Sequence, residues 1–414
     1  MSFFANRQTP PYTHLHLHTE YSTLDGANKM KPLMSRAKQL GFSAIGVTDH
    51  GTLAGALDFY TNAKAQGLLP IIGIETYIHN DKDLHAKAPL HFHLCLFAKD
   101  EEGYRNLMRL SSEAYINGFY GKPRINKVLL RKYCKGLMAS SACLQGELAW
   151  NLNVEQNNTP ERIQKHGGIK AGGYEAALAA LNEYREIFGE DFYIEIMRHG
   201  IAAQRAIETP LLALAKESGT KLIATNDTHY LYKNDATPHD ALMCIATNRL
   251  FNDTSRLKHT VAEFYLKSPE QLHALFLDIP EALANTQELV QKCTLELHLG
   301  NPTPPHFRFA HDYAKKEGLN MDEHDYFVHR CKLGLEERLR SIAPEKHAEY
   351  YERLEREIAV ISKMHFEGYM LIVWDFVRAA KERAIPTGPG RGSAAGSLVA
   401  FALGITNIDP IAYN

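Results

Sequence analysis

Paired cysteines, excess charge of one sign and long apolar runs are all missing from this sequence. The six cysteines, at 95, 134, 143, 244, 293 and 331, include no CxxC pair. That argues against a disulfide framework and fits a reducing compartment. Lys and Arg total 46 against 48 Asp and Glu, a formal net charge of −2, which excludes a strongly basic nucleic-acid binder. Any DNA contact must then come from local patches. No stretch approaches the ~18 apolar residues of a membrane span. The opening MSFFANRQTPPYT has neither an apolar core nor a small-residue cleavage site, so the expected location is the cytoplasm. No Gly-Lys-Ser/Thr occurs, which removes the Walker A loop from consideration.

What is present reads as globular: 414 residues, 45% hydrophobic and 23% charged, enough for two to four domains at about 100–200 residues each. Through about residue 230, strands and helices alternate. Strands are expected at 12–18, 42–48, 68–75, 91–98, 136–140, 192–197 and 220–226. Helices are expected at 27–40, 53–66, 101–115, from near Leu144, 174–188 and 202–218. Residues 153–172 are polar and Gly-rich, as in a surface insertion. The string predicts an α/β fold with parallel strands, a closed barrel in preference to an open doubly wound sheet. Beyond about residue 285 the texture changes. A Pro-rich break at 301–305 leads to long amphipathic helices at 325–341, 344–364 and 369–383. The turn TGPGRGSAAGS (387–397) then opens a last apolar helix. The expected domains are 1–285 and 286–414, and the stop at Asn414 so soon after the turn suggests a cut domain.

Histidine is abundant, 21 in all, so only those fixed by spacing count as candidates. His14, His16 and His18 alternate along the first strand and would share one face. Asp49 and His50 follow the second strand, Glu75 ends the third, Cys143 follows the fifth, and Asp227 and His229 end the seventh. In a parallel barrel all these strand ends open on one rim. His93 lies early in its strand, with His91 as its rival. Asp25 sits in a loop that could reach the rim, Asp49 is either a ligand or a group orienting one, and His199 is a reserve. His79, His85, His166, His259, His273, His311 and His347 read as ordinary surface or packing residues. So many N, O and S donors exceed one tetrahedral ion. They suit two or three Zn²⁺, Mn²⁺ or Fe²⁺ ions, with Glu75 as a bridge. Such ions activate water and clamp phosphate oxygens, the needs of phosphoester hydrolysis. In the GPGRGS turn, Gly390, Gly392 and Ser393 could point backbone N–H groups at an anion and Arg391 could add a bidentate donor, although a structural turn would look the same.

The stretches THLHLHTEYSTLDG (13–26), GVTDHGTL (46–53), GIETY (73–77), NDTHY (226–230) and, most specifically, residues 368–410 from GYMLIVWDF to GITNIDP resemble the bacterial DNA polymerase III alpha family, the replicative C-family polymerases. The resemblance implies an N-terminal PHP (polymerase and histidinol phosphatase) domain, a distorted seven-stranded barrel, followed by an incomplete, mainly helical palm with a polymerase-beta-like nucleotidyltransferase turn. It places the metal positions on His16, His18, Asp25, His50, Glu75, His93, Cys143, Asp227 and His229. Of these, Glu75, Asp227 and His229 are expected to be catalytic, in a 3′–5′ exonuclease or phosphoesterase. It assigns the triphosphate to Gly392, Ser393 and Arg391, beside Gly390. The family's catalytic aspartates lie beyond the turn, where only Asp409 is acidic here, so no polymerisation is expected from this chain. The implied partners are primer–template DNA, deoxynucleoside triphosphates with Mg²⁺, the sliding clamp, the clamp-loader tau subunit and the epsilon proofreading exonuclease. The alternatives are a metal-stabilised docking module for that exonuclease and a free-standing phosphatase.

Overall fold

A computed structural model describes residues 11–300 and 303–413. The opening ten residues and the first two of the Pro-rich break therefore lie outside the described residues. The chain divides into two compact units, Met1–Leu297 and His298–Asn414. A division at 285/286 would cut the helix Pro280–Gln291, which buries Leu289 and Val290 against the sheet and belongs to the first unit.

The first unit is built on a seven-stranded sheet: β1 Ala44–Val47, β2 Leu69–His79, β3 Phe92–Ala98, β4 Arg124–Asn126, β5 Leu137–Ser140, β6 Phe192–Met197 and β7 Lys221–Thr225. The order is β1-β2-β3-β5-β6-β7, with β4 paired to the far end of β2. These strands are near-continuous apolar runs buried on both faces, the composition of a sheet covered by helices on one side and by its own curl on the other. Two expectations are corrected. The sheet is mixed, because β3 runs antiparallel to both β2 and β5. And 12–18 forms no regular strand, while the three-residue β4 makes the seventh member.

The segment 12–19 nevertheless joins the two edges of the sheet. Gly46 N–H donates to His14 O at 2.7 Å and Thr48 N–H to Leu17 O at 2.8 Å on the β1 side. Thr228 N–H donates to His16 O at 3.1 Å, and His18 N–H to Thr228 O at 2.9 Å, on the β7 side. Both edges are thereby capped. The insertion expected at 153–172 carries two short helices, Val154–Asn157 and Pro160–Lys165.

The second unit is helical: Glu323–Leu339, His347–Lys363 and Glu367–Glu382 pack through Phe327, Leu335, Leu354 and Leu371. The last apolar helix is a short one, Leu398–Ala402. Its backbone comes so close to the first helix that a Cβ on Gly334 would lie 2.1 Å from Ala402 O, so only glycine fits there. Among the described residues, no helix is long and apolar enough to cross a membrane.

Candidate metal centre

The rim explains itself strand by strand. The loops after β1, β5 and β7 carry Asp49 and His50, Cys143, and Asp227 and His229, while Glu75 lies inside β2, which runs four residues past it to His79, and is bridged to His50 just beyond the end of β1. Because β3 is antiparallel, its beginning lies at the edge where its neighbours end, and His93 pairs across from Tyr77. An early position in a reversed strand is thus a rim position. Asp227 holds a left-handed φ of +41°, an uncommon backbone for a residue other than glycine that marks functional sites. The Asp25 loop closes on segment 12–19 through Gly26, where a Cβ would sit 1.9 Å from Thr19 O.

Of the other eight expected metal positions, five contact Glu75, and Asp25, Asp227 and His229 join the cluster through His50, His16 and His18. Its Oε1 lies 3.2 Å from His16 Nε2 and 2.8 Å from His93 Nδ1, and its Oε2 lies 2.6 Å from His50 Nδ1 and 4.0 Å from His18 Nε2. Cys143 Sγ is 3.9 Å from Glu75 Oε1 and 3.8 Å from His93 Nδ1. Asp227 Oδ1 faces His18 Nε2 at 3.1 Å, His16 Nε2 at 3.3 Å and His229 Nδ1 at 3.5 Å. Asp25 Oδ2 is 3.3 Å from His50 Nε2. Donor atoms converge as His18–His50–His229, His16–His18–Glu75 and His50–Glu75–His93, with a fourth group, His16–Cys95–Glu195, outside the expected set; Asp25, Cys143 and Asp227 belong to none of the four. Of the nine, Asp25, His50 and Cys143 are partly exposed and the others are buried.

The electrostatics show how these groups hold one another. Burial raises Glu75, but His93, His50 and His16 more than reverse it and hold the carboxyl well below its usual range. Burial works against the charged form of His50, yet Glu75 and Asp25 lift it to about 10. Burial, with His50 and His229 beside it, pushes His18 down to about 3. Burial and then Glu75 and Asp227 push the Cys143 thiol well above its ordinary value, an environment that a cation would invert. One buried atom fits that need directly. Asp25 Oδ1 makes no hydrogen bond, although such atoms in a protein interior are almost always paired. The donor set of imidazoles, carboxylates and one thiol, gathered close together, therefore fits divalent cations.

The other candidates lie elsewhere. His14 turns away to Lys267 O at 2.9 Å and packs edge-on against Tyr12 and Phe42, because the irregular segment does not alternate. His91 meets Tyr77 edge-on rather than Glu75. His199 bonds Asn226 O at 2.9 Å and Gln204 Nε2 at 2.8 Å. Asp49 accepts from Thr19 N, Thr19 Oγ1 and Ser22 Oγ, each at 2.7 Å. Ser22 in turn accepts from His50 N–H at 3.0 Å, so Asp49 orients the ligand loop. Glu195, which the sequence reading passed over, lies beneath the centre. It reaches His16 Nδ1 at 2.8 Å and accepts from Ser140 Oγ at 2.5 Å and Thr225 Oγ1 at 2.6 Å. Such a partner fixes the ring of a ligating imidazole. Its signal was a lone carboxylate inside the apolar strand FYIEIM. Cys95 Sγ, 3.5 Å from His16 Nδ1, lies beside it.

In the second unit, Gly390, Arg391, Gly392 and Ser393 form an exposed turn, with φ of +154° at Gly390 and +53° at Gly392. Its support comes from one helix. Glu357 accepts from Ser397 Oγ at 2.9 Å, Leu398 N at 3.1 Å and Val399 N at 3.0 Å, and Arg353 donates to Gly396 O at 2.6 Å.

Comparison with known proteins agrees with this division. Residues 14–199 match the family described as PHP domain, and residues 325–414 match the family described as bacterial DNA polymerase III alpha NTPase domain. The chain is 57% identical over 415 residues to the DNA polymerase III subunit alpha of Helicobacter pylori strain J99, covering 99% of this chain and 34% of that protein. It is 55% identical over 414 residues to that of Campylobacter jejuni, covering 97% and 34%. The chain thus spans about a third of the length of the curated relatives it matches. A solved two-domain protein from Bacteroides vulgatus, containing a predicted PHP-like metal-dependent phosphoesterase, overlaps 54% of this chain and 57% of its own at 16% identity, with a TM-score of 0.29.

Proposed function

From the premise that the chain belongs, over the third of their length it spans, to the bacterial DNA polymerase III alpha subunits, we propose that its first unit is a metal-dependent phosphoesterase that removes nucleotides from a DNA 3′ end. The observation that carries this is the gathering of donors around Glu75, with His16, His18, His50 and His93 all within 4.0 Å of its carboxylate oxygens. His16, His18, His93, Cys143, Glu75 and Asp227 would hold one pair of ions, and His50 and His229, with Asp25 beside them, a third. Zn²⁺ or Mn²⁺, or Fe²⁺, supplies positive charge for the phosphate oxygens and acidifies bound water when present. The protein's own part is positional. Glu75 and Asp227 hold the imidazoles at their short distances, Glu195 fixes the His16 ring from below, and Asp49 fixes the loop carrying Ser22 and Asp25. Glu75, Asp227 and His229 are the groups assigned to the reacting centre.

For the whole protein we propose template-directed DNA synthesis in the cytoplasm, with primer–template DNA and deoxynucleoside triphosphates as substrates and Mg²⁺ as cofactor. Gly390, Arg391, Gly392 and Ser393 would hold the triphosphate. The sliding clamp, the tau subunit and the epsilon exonuclease are the proposed partners.

The first test is cleavage of a single-stranded oligonucleotide by the Mn²⁺- or Zn²⁺-loaded chain. Asp227→Asn should abolish it while keeping the fold, because Asn preserves size and loses charge. Cleavage that survives both this change and exhaustive chelation would place the activity elsewhere. No cleavage by the loaded wild type would leave the docking module as the better reading.

A further inference from the structure

An aromatic shelf stands against the partly exposed edge of the centre, and neither the fold nor the ligand set requires it. Asp25 and His50 form part of the wall of a cavity of about 370 Å³ that is also lined by Tyr77, Tyr115, Phe119 and Lys122. Tyr77 is buried and lies nearly parallel to the His50 ring, with centroids 6.3 Å apart. Lys122 Nζ stands 5.0 Å above the Tyr77 ring. Phe119 is 58% exposed and Tyr115 49%, and their rings are close to parallel, 28° apart in tilt with centroids at 6.4 Å. Two large aromatic faces left to solvent beside a polar centre lose apolar burial, and such a patch marks a binding surface.

The shelf is also fixed before any ligand arrives. The buried Arg124 side chain donates to Gly118 O at 3.2 Å, Ala88 O at 2.7 Å and Ala86 O at 2.7 Å, pinning the loop that carries Phe119. Tyr120 N–H donates to Lys122 O at 3.0 Å across a turn at Gly121, whose φ is +68°. A surface held in its binding conformation loses little entropy on association.

We infer that Phe119 and Tyr115 stack the terminal nucleobase of a single strand while Lys122 meets its phosphate, so that the substrate is a nucleotide at a strand end rather than a small alkyl phosphate. This rests on the reading of the centre as a phosphoesterase. The charge pattern suits it: one cation over the Tyr77 ring, on the wall of the same cavity. Stacking on an aromatic side chain is indifferent to which base is offered, which suits removal of any terminal nucleotide.

The test measures binding of a 5′-fluorescein single-stranded oligonucleotide to the full chain carrying Asp227→Asn, by anisotropy. Phe119→Ala should weaken binding about tenfold, and so should an abasic 3′ terminus. On the abasic strand Phe119→Ala should cost nothing further, because no base is left for that ring to meet. Tyr115→Leu is the second variant, and melting curves confirm that both exposed sites keep the fold. Equal binding of intact and abasic strands, or full affinity in both variants, overturns the shelf. If binding depends on the terminal base but the metal-loaded wild type cuts nothing, the shelf stands and the phosphoesterase reading falls. If the wild type cuts but binding ignores the base, the reverse holds.

Discussion

The candidate metal centre draws its groups from positions as distant as His18 and Asp227, whereas the turn in the second unit offers four consecutive residues, Gly390 to Ser393. The centre is made of mostly buried side chains whose charges hold one another. The turn is made of exposed backbone supported from behind by Glu357 and Arg353. One therefore depends on side-chain identity and on the fold of a whole unit, and the other on local backbone conformation and one supporting helix.

The largest effect should come from removing the group the centre is organised around. Glu75→Ala leaves His16, His50 and His93 facing one another with no carboxylate between them. Breaking a buried charged network this way costs about 3–5 kcal/mol. The denaturation midpoint of the first unit should fall accordingly, while amide exchange at 390–404 stays unchanged. An unmoved midpoint would mean that Glu75 is not central to the first unit. Glu357→Ala should act in the opposite unit. It removes the acceptor of two backbone N–H groups and the Ser397 hydroxyl, about 1–3 kcal/mol, and should speed exchange at 397–402 without altering the metal content of the loaded protein. Slowed or unchanged exchange there would break the contrast. The smallest effect is expected from Gly392→Ala. A Cβ at Gly392 meets nothing within 4 Å, so only the left-handed backbone resists it, about 1–2 kcal/mol. A modest loss of triphosphate affinity should follow, and a loss far beyond what about 1–2 kcal/mol allows would show a steric role that the open space around Gly392 does not suggest.

Much of the centre was legible because strand ends can be counted. His50, Glu75, Cys143, Asp227 and His229 lie at or just past expected strand ends, and a sheet brings such positions to one edge whatever the details. Strand direction was not legible. Periodicity is the same for parallel and antiparallel pairing, so His93 looked misplaced until β3 proved reversed. His14 misled for a related reason: alternation in HLHLH predicts one shared face only if the backbone is a regular strand, and 12–19 is held by bonds to both edges instead. Glu195 was missed because ligands were sought at strand ends and it sits mid-strand. The support from Glu357 and Arg353 was equally hidden, since an i, i+4 ion pair reads as a solvated helix face. The three residues of β4 are too few to show any period.

The bonds from segment 12–19 to Thr228 also set an order of events during synthesis. His16 and His18 leave the ribosome early, and Asp227 follows 209 residues after His18. At about 5–20 residues per second, that interval lasts roughly 10–40 s. Throughout it the β1 edge can pair with segment 12–19, but its other partner does not yet exist. Until it does, the first unit lacks the second partner of segment 12–19 and two of the nine donor groups. Closure waits for residues 227–229, and because those residues carry Asp227 and His229, the same step that seals the sheet also completes the metal centre. A half-made chain thus has no complete set of donor groups.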